Sequence, residues 1–316
     1  MKKIFKIIII NILLLIFFLF AIEIFIWGCE NLRMKIYNEE YIGKLPLPFH
    51  PEVKNSEIDI NSFSNEKNKY VRTPEGLNYK NKPIVIFGCS YAYGYKLKKN
   101  QTFSHKLSIQ TKRPVYNRAV AGWGVQHMLY QVKQDEFYKK VPEPEYVIYL
   151  EMKDHFRRAY VTTFLSGQLL NEDYYLTFQY KNGKLLRTPK VESHQIYRRL
   201  YLFNKLHHYY VNNIVLNPRN YDKYSKFIIE HFVESRDEMK KHWKNTKFVI
   251  LLYNSFYNDS LFKKSLEEKG FTVIKIPDIT NVDLYSSEYL SADYHPTEKA
   301  WNLLTPIIID KLKLNN

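Results

Sequence analysis

The stretch that most limits what this chain can become is Pro83-Ile84-Val85-Ile86-Phe87-Gly88-Cys89-Ser90-Tyr91-Ala92-Tyr93-Gly94, an apolar run that stops at a glycine and delivers a serine. A β-branched run of this length ended by Gly reads as a buried parallel strand entering a tight loop. Side chains leaving the carboxyl end of such a strand enter the crevice where open α/β sheets place their chemistry. Ser90 is therefore the candidate nucleophile. The same position suits a helix N-cap, so the assignment depends on partners elsewhere in the chain.

A nucleophilic Ser needs a base to take its proton and a third group to orient that base. Near the C-terminus stands Asp293-Tyr294-His295-Pro296, followed by Thr297-Glu298-Lys299-Ala300-Trp301, which reads as a helix start. Asp and His two residues apart in a turn can lie side by side, the carboxylate holding the imidazole. Cys89, beside Ser90, reads as a small packing hydrophobe behind a buried strand.

Together these stretches resemble the SGNH or GDSL hydrolases. In that family a Gly-x-Ser-x-x-x-Gly block follows the first strand, here Gly88 to Gly94, and an Asp-x-His-Pro block precedes the last helix, here Asp293 to Pro296. A third stretch fits between them: Val115-Tyr116-Asn117-Arg118-Ala119-Val120-Ala121-Gly122 resembles the family's second block, an Asn followed five residues later by Gly. The resemblance implies a three-layer α/β/α sandwich with a central parallel sheet, flavodoxin-like in type. It implies Ser90, His295 and Asp293 as catalytic residues, and the N–H groups of Ser90 and Gly122 as oxyanion donors. Two departures stand out. Cys89 replaces the usual Asp of the first block. After the strand-like Tyr146-Val147-Ile148-Tyr149-Leu150 the chain reads Glu151-Met152-Lys153-Asp154-His155-Phe156-Arg157, with Lys153 where the family's oxyanion-binding Asn would align. That donor is missing or supplied by His155, Lys153 or Arg157; loss of one such donor costs on the order of 3 kcal/mol. Arg157 and Asn117 are also candidate substrate contacts.

The chain opens with Met1-Lys2-Lys3-Ile4-Phe5-Lys6, then a nearly unbroken apolar run from Ile7 to about Trp27, interrupted by Asn11 and Glu23. About twenty apolar residues suffice to cross a bilayer as a helix. A cleaved signal peptide is the competing reading, but the apolar run resumes after Glu23 and no small-x-small cleavage site follows. Residues 1–30 are expected to form an uncleaved signal anchor. The early lysines leave the N-terminus in the cytoplasm and the rest of a bacterial chain outside, in the periplasm or at the cell surface. Residues 31–82, polar and irregular, read as a stalk or wrapping segment. Residues 83–316 read as one domain, since this length supports a sizeable core.

Within that domain strand and helix alternate, as a parallel sheet with crossover helices requires. Helices are expected at Thr102 to Thr111, Gln126 to Lys140, about Ser260 to Lys269 and after Thr297; further strands at Pro114 to Asn117, Lys247 to Tyr253 and Phe271 to Ile276. The stretch 157–245 is longer than a crossover needs and reads as an insertion. Inside it, Tyr174 to Tyr180 and Leu185 to Thr188 flank Lys181-Asn182-Gly183-Lys184, a strong hairpin signal. Helices follow at about Gln195–Val215 and Tyr221–Trp243.

A net charge of +15 invites a nucleic-acid reading, but the lysines are scattered among Asn, Ile and Tyr with no dense basic block. An anchored chain also argues against nucleic acid; steering toward anionic polymers or lipid headgroups fits better. No phosphate-loop pattern occurs, and His207-His208 lack the companions a metal site requires. No cofactor is expected. The expectation is therefore a serine esterase or deacylase acting through an acyl-enzyme on an O-acyl ester of an envelope glycan or lipid. The alternatives are an O-acyltransferase with the same triad and a non-catalytic glycan-binding protein of SGNH-like fold.

Overall fold

The first strand, β1 (Ile84–Phe87), is buried on both faces: Ile84 and Ile86 enter one apolar cluster, Val85 and Phe87 another. Only a parallel sheet covered on both sides by helices accommodates such a strand. In this computed structural model, which describes residues 5, 9–22, 74–153, 155, 178–181, 184–187, 221–253 and 259–315, that is the arrangement. The sheet runs β2-β1-β3-β6-β7, with β2 (Val115–Asn117), β3 (Tyr146–Glu151), β6 (Lys247–Leu252) and β7 (Thr272–Lys275) all parallel. The expected three-layer sandwich is thus present. Helices α2 (Phe103–Thr111) and α7 (Glu298–Leu312) close one face, where Phe103 stacks on Trp301 at 4.9 Å. Helices α3 (Val125–Val132), α4 (Asp135–Lys140), α5 (Tyr221–His242) and α6 (Asp259–Glu268) close the other.

Two expected elements take a different form. The single helix foreseen from Gln126 to Lys140 is two, broken at Gln134, whose backbone is extended. Val132 and Phe137 are five residues apart, so one straight helix would separate them by about 140°. The break lets both face the core, Phe137 packing on Trp243 and under the Arg118 guanidinium. The second difference is α5. Ile228, Ile229, Phe232, Met239 and Trp243 pack with Val147, Tyr149 and Phe248 of the sheet, so the end of the expected insertion is the crossover helix from β3 to β6. The hairpin is present as β4 (Phe178–Lys181) and β5 (Lys184–Arg187), antiparallel with Lys181 opposite Lys184. The helix expected at about Gln195–Val215 lies outside the described residues.

Glu75 pairs with Val115 in both directions, at 2.9 and 3.0 Å, extending the sheet edge from the wrapping segment. At the amino ends of the strands the buried Arg113 binds Glu145 at 2.6 Å and the carbonyls of Lys82 and Leu314. At the N-terminus, residues 9–22 are helical and their large apolar side chains are exposed. Among the described residues no helix is long and apolar enough to cross a membrane. The remainder of the expected anchor, and residues 31–73 of the stalk, lie outside the described residues.

His231 of α5 is fully buried, its Nδ1 donating to the Phe227 carbonyl at 2.8 Å. Burial pushes its imidazole down to about 4, outweighing the carbonyl that favours the charged form. The unfolded chain therefore takes up a proton near pH 6.5 that the folded chain refuses until about pH 4. Unfolding free energy should fall by about 3 kcal/mol from this residue as pH drops through that window. Urea unfolding at pH 7 and pH 4.5 tests this: His231→Gln should lose measurably less stability on acidification than the wild type, and equal losses would refute it.

Candidate active site

β1 lies between β2 and β3, and the chain turns to opposite sides of it, so a crevice opens at the carboxyl ends of β1 and β3. Gly88 makes the turn out of β1 with φ +145°, in the region open mainly to glycine. A Cβ there would lie 2.9 Å from Ala92 Cβ and 3.1 Å from the Leu150 carbonyl oxygen. Ser90 follows as the first residue of α1 (Ser90–Tyr93), and its hydroxyl-bearing residue is 7% exposed. As a first helical residue its N–H has no acceptor within the helix. Gly94 ends α1 in the left-handed conformation, its N–H bonded to the carbonyls of Ser90 and Tyr91. Both glycines of the first block thus serve to present Ser90. Cys89 is fully buried in the apolar core with its Sγ 3.1 Å from Met152 Sδ, as the packing residue it was read to be.

The Asp293–His295 turn is built from the opposite end of the chain. Ser291 and His295 clasp it, Ser291 N–H donating to the His295 carbonyl at 2.9 Å and His295 N–H to Ser291 Oγ at 3.2 Å. Between them Tyr294 takes a positive φ of +61°, unusual for a bulky residue. Tyr91, the residue after Ser90, holds that conformation through a hydrogen bond from its hydroxyl to the Tyr294 carbonyl. The rings of Tyr91 and Tyr95 lie 5.5 and 4.8 Å from the His295 ring. The structure therefore seats the Asp-His turn on the short helix that Ser90 begins.

Within the turn, His295 Nδ1 is 3.0 Å from the Asp293 carbonyl oxygen and 3.4 Å from Asp293 Oδ1. A carbonyl only accepts, so Nδ1 carries the hydrogen and Nε2 the lone pair of a base. Burial lowers the affinity of His295 for a proton, and Lys96 lowers it further, against the opposing pull of Asp293. The ring is accordingly neutral at pH 7. Asp293 is shared: Lys96 Nζ is 2.5 Å from Oδ2, and the Ser291 hydroxyl donates to Oδ1. Burial alone would raise its carboxyl, but Lys96, Ser291 and His295 together hold it at about 2. Lys96, Ser291 and Tyr91 escaped the sequence reading. No motif marks them: Lys96 and Tyr91 act through contacts made only when the two ends of the domain meet, and Ser291 through hydrogen bonds within the turn itself.

The other sequence candidates divide. Gly122 lies in the turn after β2, which is drawn to β1 by bonds from Arg118 N–H to the Ile86 carbonyl and Val120 N–H to the Gly88 carbonyl. It is partly exposed, and Lys153 is half-buried at the end of β3. Asn117 requires a correction: it is 1% exposed, its Nδ2 donating to the Ala92 carbonyl at 2.8 Å and Ser104 Oγ at 3.2 Å, its Oδ1 accepting from Ala119 N–H. Its role is to tie β2 to the nucleophile helix, and substrate contact is excluded by this burial. His155 is likewise fully buried, its Nδ1 lying 3.0 Å from Glu151 Oε2 and 3.1 Å from the Tyr149 hydroxyl. Arg157 lies outside the described residues. Among the described residues no cluster of His, Cys, Asp and Glu could hold a metal ion.

No protein-family model matches the chain, and no curated protein matches it. Among solved structures it is similar to a member of the lipolytic protein G-D-S-L family from Veillonella parvula, at 11% identity and a TM-score of 0.43, over 73% of this chain and 98% of that one. It is also similar to an acetyl xylan esterase from Butyrivibrio proteoclasticus (12% identity, TM-score 0.43, 74% of this chain and 64% of that one). A lipase from a goat rumen metagenome is a third (10%, 0.41, 73% and 97%). These likenesses are remote, and the chemistry of the site rests on this chain's own residues.

Gly88→Ala should cost about 2 kcal/mol or more, because the new Cβ meets a backbone carbonyl and a helix Cβ in a strained conformation. Thermal and urea unfolding measure it. A loss within about 0.5 kcal/mol would show that the strand-to-helix turn can relax without glycine.

Proposed function

We propose that this chain is a serine-dependent ester hydrolase, an esterase or deacylase working through an acyl-enzyme. The observation that carries the reading is the seating of the Asp293–His295 turn on the helix begun by Ser90, through Tyr91 and Tyr95. In the mechanism, Ser90 Oγ attacks the acyl carbonyl while His295 Nε2 takes its proton. The imidazolium formed is stabilised by Asp293, and the proton is returned to the leaving alcohol. Water then repeats the sequence against the acyl-Ser90 ester. The N–H groups of Ser90 and Gly122 stabilise the oxyanion, and Lys153 and Arg157 are side-chain candidates for the third donor.

The substrate in this reading is an O-acyl ester of an envelope glycan or lipid. Support comes from the apolar N-terminal run after three early lysines, read as a single-pass anchor that leaves the domain outside the cytoplasm. An O-acyltransferase would use the same acyl-enzyme with a sugar hydroxyl in place of water. A non-catalytic glycan-binding role draws its support from Lys153 at the position of the family's Asn.

A fluorophosphonate probe on the full-length protein tests the reading. The wild type should label, Ser90→Ala should not, and His295→Gln should label on the order of a thousandfold more slowly. Because His295 binds its proton less readily than a free imidazole, labelling should hold its plateau to below about pH 6.5 before falling. Folded wild-type protein that takes no label would favour the binding role.

A further inference from the structure

Asp293 is the junction of the site, and its geometry is not that of a carboxylate committed to one imidazole. Oδ2 belongs to Lys96 at 2.5 Å, Oδ1 receives the Ser291 hydroxyl, and His295 Nδ1 is nearer the Asp293 backbone carbonyl, at 3.0 Å, than the carboxylate, at 3.4 Å. The ring is thus oriented chiefly by a main-chain acceptor, whose position depends on where the Asp293 residue is held. What holds it from across the site is Lys96. That lysine lies just past α1, in the same segment as Ser90, with a positive φ of +61°. Its ammonium also sits 5.5 Å from the centroid of the Tyr95 ring, which packs against His295.

We infer that Lys96 is a positioning residue: by holding Asp293 Oδ2 it locks the base-bearing turn to the nucleophile segment and keeps a fixed positive charge beside His295. The inference rests on the reading of Ser90, Asp293 and His295 as one catalytic unit. A partly exposed ion pair adds little to fold stability, so stability alone gives this contact small reason to exist. Among the described residues, the titratable groups around the His295 ring are Asp293 on its own turn and Tyr91, Tyr95 and Lys96 from the nucleophile segment, with Tyr253 behind Tyr91. Lys96 is the cation of this set. Its removal must therefore make His295 easier to protonate, in accord with the lowering that it exerts on both Asp293 and His295.

The test compares Lys96→Asn with Lys96→Arg in the full-length protein, Asn being chosen because it tolerates a left-handed backbone. Lys96→Gly serves as the second variant should the first fail to fold. Two readouts are taken. The first is the pH titration of the His295 ring by NMR in a Ser90→Ala background, assigned through His295→Gln. The second is kcat, KM and the pH profile for p-nitrophenyl acetate. Lys96→Asn should raise the midpoint of the His295 titration and the acid limb of the rate. It should lower kcat on the order of tenfold to a hundredfold with KM little changed, and Lys96→Arg should restore most of both. An unchanged titration and rate, or a faster enzyme, overturns the inference; the faster enzyme would mean that Lys96 withholds the carboxylate from His295. The titration needs no turnover. If the wild type neither labels nor hydrolyses, the esterase reading falls while the ring titration still decides whether Lys96 acts on His295.

Discussion

A column of aromatic rings joins the site to the core, and Tyr91 is the member that meets His295. Phe103 stacks on Trp301, Trp301 meets Tyr253 at 5.9 Å, Tyr253 meets Tyr91 edge-on at 5.1 Å, and Tyr91 meets His295 at 5.5 Å. Large buried rings lose few degrees of freedom on packing and bury much apolar area, so the column is stiff as well as stabilising. Its outer end carries a polar handle. The Tyr91 hydroxyl grips the carbonyl of Tyr294, a residue in a costly conformation that local forces alone would not choose. The turn that bears Asp293 and His295 is thus held by the same ring that continues the hydrophobic core.

The two ends of the parallel sheet are used differently. At the amino ends, Arg113 and its partners Glu145, Lys82 and Leu314 close the edge with buried ionic and carbonyl contacts. At the carboxyl ends, close approach does the work instead: Gly88 lets the backbone pass within reach of Leu150, and the Asn117 amide ties β2 to Ala92 in the helix that Ser90 begins and to Ser104 in α2. Strand order places these contacts where the crossovers diverge, at the carboxyl ends of β1 and β3 beside Ser90.

Electrostatics sharpen the division of labour within the turn. Burial disfavours charge on both His295 and Asp293, but Asp293 is compensated by an ammonium, a hydroxyl and the imidazole, while His295 faces Lys96 as well as Asp293. The outcome is an ionised acid beside a neutral ring, two groups pushed apart in proton affinity by their surroundings. Such a separation is what the proposed division of roles requires, one residue to orient and the other to accept a proton.

The layered fold was legible in the chain because apolar runs buried on both faces admit few arrangements other than a covered parallel sheet. The placement of Ser90 after the first strand, and of Asp293 and His295 before the last helix, was legible because glycine, proline and capping residues mark the ends of strands and helices locally. Such signals reach only a few residues along the chain. The break at Gln134, the inclusion of α5 in the core, the burial of Asn117 and His155, and the grip of Lys96 and Tyr91 on the Asp-His turn were decided by tertiary structure. Most depend on contacts between segments well separated along the chain, from 13 residues for Asn117 with Ser104 to 203 for Tyr91 with Tyr294. No periodicity or motif encodes which side chains will meet across such a distance; packing of the sheet and its helices settles that.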